Sequence, residues 1–170
     1  MVKIAFSGKC TSGKSTAANM VKEVIKDTHL LSFAGKIKEL AKDLFGMEEK
    51  NRPLLIDLGT KMREINKDVW LDYVLKTSEK YDNVVIDDLR FKNEFSALKK
   101  AGFILVRLEI DQETQIKRLI KLYPTTWKEQ VERLGDSTEI DLDNTKFDYH
   151  VNSTNFEDVK NVIKSIAENN

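Results

Sequence analysis

Gly8-Lys9-Cys10-Thr11-Ser12-Gly13-Lys14-Ser15 satisfies the pattern G-x-x-x-x-G-K-[ST] at every specified position. The chemistry this spacing serves is polyphosphate binding. Glycines at 8 and 13 let the backbone turn its N–H groups inward, and the N-terminus of a following helix adds partial positive charge. Lys14 then reaches the β- and γ-phosphates, Ser15 offers its hydroxyl to Mg²⁺, and Thr16 lies within reach of the α-phosphate. An apolar strand precedes the loop and a helix is expected from near Lys14, which is the setting the mechanism requires. The competing reading is a Gly/Ser-rich turn that matches by accident. Cys10 is read as a small residue whose backbone amide is used, in preference to a redox-sensitive thiol.

A second cluster is Val84-Val85-Ile86-Asp87-Asp88, an apolar strand ending in two acids. A carboxylate in that place can organise Mg²⁺ beside a phosphate loop. Successive strand side chains alternate, so Asp87 and Asp88 point to opposite faces and only one is expected on the metal side. The alternative is a strand-end acid that caps the next helix. Arg90 follows, a fork-shaped donor suited to a phosphate or, more plainly, to an ion pair with Asp88.

These residues need a scaffold, and the apolar pattern supplies one. Short apolar runs at Ile4 to Phe6, Leu30 to Phe33, Val84 to Ile86, Phe103 to Leu108 and Phe147 to Val151 predict buried strands. Helical periods lie between them: Ala17, Met20, Val21, Val24 and Ile25 share one face, and Ile37, Leu40, Ala41, Leu44 and Phe45 another. Phe156, Val159, Ile163 and Ile166 repeat the period near the end, with Thr154 and Glu157 as a candidate capping box. Alternation of strand and helix predicts an α/β fold, a parallel sheet covered on both faces with its ligand at the carboxyl ends of the strands. Residues 34–80 and 111–146 exceed the plain repeat and are read as insertions over one rim, where recognition and closure commonly reside.

Composition narrows the class. The 170 residues, 41% of them hydrophobic, are expected to form a single domain spanning 1–170. Lys plus Arg and Asp plus Glu both total 28, so the global field gives no reason to expect a nucleic-acid polymer as ligand. One cysteine excludes an internal disulfide and a cysteine-rich zinc site. Neither a signal peptide nor a membrane-length apolar run is read, and a cytoplasmic location is expected.

Three further segments carry a resemblance. Asp88-Leu89-Arg90-Phe91-Lys92-Asn93-Glu94 is similar to D-V-R-F-x-N-E. Leu54-Leu55-Ile56-Asp57-Leu58-Gly59-Thr60, through Arg63, Asp68 and Trp70, is similar to L-L-Q-x-L-G-T-x-x-x-R with a following D-x-W, and Phe33-Ala34 with Lys38 to F-A-D-P-L-K. In this order, after the phosphate loop, they make nearly the whole chain resemble the deoxynucleoside monophosphate kinase family known from phages, a branch of the P-loop nucleoside monophosphate kinases. Gly35-Lys36 stands where that family has Asp-Pro, and Asp136-Ser137-Thr138-Glu139 where it often has His-x-Ser-Glu.

The resemblance implies a P-loop fold of five parallel strands flanked by helices, with residues 34–80 as the acceptor-binding insertion and 111–146 as the lid. It implies transfer of a phosphoryl group from ATP, with Mg²⁺, to a deoxynucleoside monophosphate, by a chain acting alone or as a homodimer, in the cytoplasm or, if phage-encoded, the host cytoplasm. Gly8 through Thr16 would hold ATP, with Ser15, Asp87 and Asp88 toward the metal. Lys14, Asp88, Arg90 and Arg118 would be catalytic, and Phe33, Lys38, Arg63, Trp70, Arg90 and Glu94 would bind the acceptor. Each has a plainer reading. Lys38 and Arg118 can be solvated helix residues, Trp70 and Phe33 core, and Glu94 a first-turn helix acid. Arg133 is a second lid arginine, Arg52 an acceptor-side or surface residue, and Arg107 a strand-end ion-pair residue; His29 and His150 are read as structural. Two functional alternatives stand beside this one: a kinase of another small phosphorylated metabolite, and a nucleotide-dependent switch.

Overall fold

Five strands build one sheet: β1 (Lys3–Gly8), β2 (Thr28–Leu31), β3 (Asn83–Leu89), β4 (Ile104–Glu109) and β5 (Tyr149–Asn152). The computed structural model describes residues 1–169, the side chains of 137 and 138 excepted. The order is β2-β3-β1-β4-β5, and the four pairings are all parallel. The phosphate loop therefore leaves the central strand.

The expected alternation is present because each inner strand is apolar on both sides. Ile4 and Phe6 of β1 with Val85 of β3 pack against α1 (Lys14–Val24) and α9 (Phe156–Glu168). Ala5, Val84 and Ile86 face the opposite way, toward Phe33 of α2 (Phe33–Phe45), Leu71 and Val74 of α4 (Val69–Ser78), and Leu98 of α5 (Lys92–Lys100). Period-two alternation with both faces covered yields continuous apolar runs in the sequence.

Residues 34–80 contain most of α2, then α3 (Arg52–Ile65) and α4. Residues 111–146 contain α6 (Gln112–Leu122), α7 (Trp127–Glu132), a 3-10 turn (Arg133–Gly135) and α8 (Ser137–Ile140). Both insertions are helical, as expected. Among the described residues no helix is long and apolar enough to cross a membrane.

Some local expectations are corrected. Phe33 begins α2 instead of ending a strand, because β2 stops at Leu31 where its pairing with Ile86 ends. β5 begins at Tyr149; Phe147 is a buried core residue ahead of it. The apolar stripe of α2 leaves the core in its last turn, where Leu44 and Phe45 are 68% and 58% exposed. Asn155, not Thr154, caps α9, its side chain accepting from the Glu157 N–H at 3.1 Å. Thr154 instead donates its hydroxyl to Asp111 at 3.0 Å. Its neighbour competes better because an Asn side chain accepts from the backbone two residues on at little conformational cost.

Candidate phosphate and acceptor sites

The loop from Gly8 to Ser15 is shaped by close approaches. A Cβ at Gly8 would lie 2.4 Å from Ser12 Oγ and 2.7 Å from the Leu108 carbonyl, so only glycine fits where β1 enters the turn. Gly13, at φ 89°, ends the loop, and a Cβ there would meet the Phe156 ring at 2.7 Å. Thr11 adopts φ 62°, the left-handed conformation that bends successive N–H groups toward one side. No side chain caps α1, so its first N–H groups are presented for an anion.

Lys14 arches back over this loop, donating to the carbonyls of Gly8 at 2.7 Å and Lys9 at 2.9 Å. Burial pushes its ammonium down to about 8, and Arg90 adds repulsion that Glu139 partly opposes. Cys10 uses its backbone, as read from sequence: the N–H donates to Glu139 Oε2 at 2.6 Å and the carbonyl accepts from Gln115 at 2.9 Å. Burial, then the Glu139 carboxylate, raises the Cys10 thiol above its ordinary value, which leaves it a poor nucleophile.

The two acids of β3 separate. Between Ala5↔Ile86 and Ser7↔Leu89, β3 takes three steps where β1 takes two, so a bulge falls at Asp87-Asp88. Asp87 accepts from the Ser15 hydroxyl at 2.8 Å. Asp88 accepts from the backbone N–H groups of Phe33 at 3.0 Å and Ala34 at 2.9 Å, at the start of α2. Where the sequence offered both acids to the metal, Asp88 is engaged at the N-terminus of α2; it is half-buried, and desolvation raises its pKa despite those bonds. Asp87 is the acid beside Ser15.

A cleft of about 660 Å³ opens beside the strand ends. Phe33, Trp70 and Phe91 supply aromatic wall, and Arg63, Lys67 and Arg90 supply positive charge. Trp70 is both core and wall, 5% exposed and anchored by an Nε1–H bond to the Gly59 carbonyl at 3.2 Å. Glu94 lines the same cleft, but its Oε2 accepts from the N–H groups of Arg90 at 2.9 Å and Phe91 at 3.1 Å, the helix-terminal role. Burial pushes Glu94 up to about 7, outweighing those two bonds. Lys38 is exposed and lines a neighbouring hollow with Arg52 and Arg63.

Arg118 is not a solvated helix residue. It donates to the carbonyls of Thr11 at 3.1 Å and Ser153 at 3.0 Å, and its guanidinium lies 4.9 Å from the Phe156 ring centroid. With Phe156 and residues 13–16 it lines a cavity of about 400 Å³, on the loop's α1 side. Arg107 is an ion-pair residue as read, joining Asp143 at 2.5 Å and Ser7 Oγ at 2.9 Å. His29 stacks on Tyr81 and His150 bonds Glu109, both away from the clefts.

Arg90 does not pair with Asp88. It donates to Glu139 Oε1 at 2.9 Å, and the same small cleft is lined by Lys50, Arg52 and Arg133. This convergence, together with Gln115 and Phe156 at the loop, had no sequence signal, since the partners are remote along the chain. Glu139 alone had a signal, its place in the altered 136–139 element, of which the side chains of 137 and 138 lie outside the described residues.

A profile of the family described as AAA domain matches residues 4–135. Among curated proteins none matches. Solved structures with a similar fold include TT1252 from Thermus thermophilus, with TM-score 0.64 and 15% identity over 99% of this chain and 97% of that one. Shikimate kinase from Bacteroides thetaiotaomicron has TM-score 0.60 and 16% identity, covering 98% and 97%. A gluconokinase from Sinorhizobium meliloti 1021 has TM-score 0.60 and 14% identity, covering 98% and 92%. At such identities the likeness establishes a P-loop kinase fold.

Proposed function

The chain belongs to the AAA domain family, and on that footing we propose that it transfers the γ-phosphoryl group of ATP to a deoxynucleoside monophosphate. One observation carries the acceptor: an aromatic-walled cleft with Arg63 and Arg90 in its lining, the latter also bonded to the carboxylate that the Cys10 amide holds. Flat aromatic surface suits a base, and planar forked cations suit a phosphate. The three acceptor-side segments of the sequence support the same choice.

In this reading the loop N–H groups and the α1 N-terminus hold the donor phosphates, with Lys14 turning from the Gly8 and Lys9 carbonyls toward them. Arg118 and Phe156 flank the donor nucleoside in the 400 Å³ cavity. Ser15 and Asp87 fit a small divalent cation, for both offer oxygen and they already meet at 2.8 Å. Two protein oxygens would leave the rest of a Mg²⁺ shell to phosphate and water. Mg²⁺ bound there would neutralise charge on the transferring group. Arg90 and Arg63 orient the acceptor phosphate, whose own oxygen is a competent nucleophile. Residues 34–80 serve as the acceptor insertion and 111–146 as the lid that excludes water.

A coupled assay with ATP and each of the four deoxynucleoside monophosphates, their ribose counterparts, gluconate and shikimate tests this. Turnover is expected with at least one deoxynucleoside monophosphate. Turnover only with a non-nucleotide acceptor, or acceptor-independent hydrolysis alone, would replace the proposal with the corresponding alternative.

A further inference from the structure

Glu139 presents a carboxylate to the phosphate loop. Its Oε2 accepts the Cys10 N–H of the phosphate loop at 2.6 Å, and its Oε1 accepts from Arg90 at 2.9 Å. Only 8% of the side chain is exposed, and Lys50, Arg52 and Arg133 line the space around it. An anion that takes one bond from a loop amide and another from a guanidinium reproduces the contacts a phosphate oxygen would make.

The two anions are incompatible. A donor triphosphate on the loop brings negative charge against the Glu139 carboxylate, and one N–H cannot make a well-aligned bond to both. We propose, building on the reading of the chain as an ATP-dependent kinase, that Glu139 is an internal latch on the phosphate loop. The donor expels it, and its departure removes the carboxylate that Arg90 Nη1 is bonded to, turning that N–H toward the transferring and acceptor phosphates. The contact therefore couples loading of the donor to arming of the acceptor side. Because Glu139 belongs to α8, inside the 111–146 insertion, its release removes one tie between that insertion and the loop, while Gln115 and Arg118 keep theirs to the Cys10 and Thr11 carbonyls. Whatever the contact contributes to the protein without nucleotide is subtracted from donor binding, as linkage requires.

The test is calorimetric titration of the full chain with a non-hydrolysable ATP analogue and Mg²⁺, without acceptor. Glu139→Gln keeps the shape and removes the charge, and Glu139→Ala removes both bonds. Both are expected to bind the analogue about tenfold more tightly than wild type, the order expected for losing one charge-assisted hydrogen bond from the competing state. Asp136→Asn removes a nearby exposed acid and keeps the latch, so its affinity should stay within about twofold of wild type. Thermal unfolding supplies a second readout: each Glu139 variant should melt lower than wild type without the analogue and match it at saturation. A merely structural Glu139 would lower both melting points equally. Unchanged or weaker binding by folded Glu139 variants, or equal destabilisation in both conditions, would overturn the latch while leaving the kinase reading intact. Failure of wild type to bind the analogue would overturn both.

Discussion

The Ser15 hydroxyl donates to the Asp87 carboxylate across 2.8 Å, joining the end of the phosphate loop to the end of β3. The two residues are 72 apart in sequence, and the parallel pairing of β1 with β3 brings them together. One step along the chain, Asp88 faces the other way and binds the start of α2. Two adjacent acids thus have separate partners, one on the phosphate loop and one at the start of α2.

Asp87→Ala and Ser15→Ala should each lower phosphoryl transfer by about 10²-fold or more, with melting temperature nearly unchanged, because Ser15 is exposed and Asp87 only partly buried, so their loss leaves no buried group unpaired. Steady-state rates over a Mg²⁺ series, with unfolding of the same samples, measure this. Full activity in either variant would remove the metal assignment.

Asp88→Ala should show the reverse balance at the level of stability. It deprives two part-buried N–H groups of their charged acceptor, and a loss of about 2–3 kcal/mol is expected, read as a melting point lower by several degrees. A melting point equal to wild type would contradict the α2-capping role.

Lys14→Ala should lower the transfer rate by on the order of 10³-fold while the protein remains folded, since in the proposed reaction the ammonium would neutralise charge that develops during transfer. Its present bonds are to two carbonyls of its own loop, so the fold has limited need of it. Circular dichroism alongside single-turnover rates distinguishes a folded, inactive variant from an unfolded one. Undiminished turnover would end Lys14's assignment.

Glu94 predicts a pH dependence. Its pKa rises from 4.5 to about 7 on folding, so the folded state binds the proton more tightly. The stability this contributes is fully present below pH 4.5 and is lost as pH rises through 7. Glu94→Gln lacks that titration, so its stability relative to wild type should increase between pH 4.5 and 7.5, by at most about 3 kcal/mol. Urea unfolding of both proteins across this range measures the difference, and parallel pH profiles would refute it.

Much of this was legible in the sequence. The phosphate loop could be read because its requirements are local: glycines where a Cβ would collide, then Lys and Ser at the start of the next helix. The alternation of strand and helix could be read because both faces of the inner strands are buried, which leaves unbroken apolar runs. Where the signal was a short capping pattern or a strand end, as at Thr154 and Phe33, nearby competing interactions decided the outcome.

The loop from Gly8 to Ser15 thus follows from the sequence by itself, as do the presence of two helical insertions and the grouping of acids at the end of β3. Tertiary structure alone decided what each acid bonds. Alternation places Asp87 and Asp88 on opposite faces but cannot label the faces, and the bulge in β3 interrupts the register from which a label could be counted. It alone decided too that Arg90 pairs with Glu139, 49 residues on, instead of Asp88 two residues before. Such partners are chosen by strand order and by where an insertion folds back, and neither leaves a mark at the residues themselves.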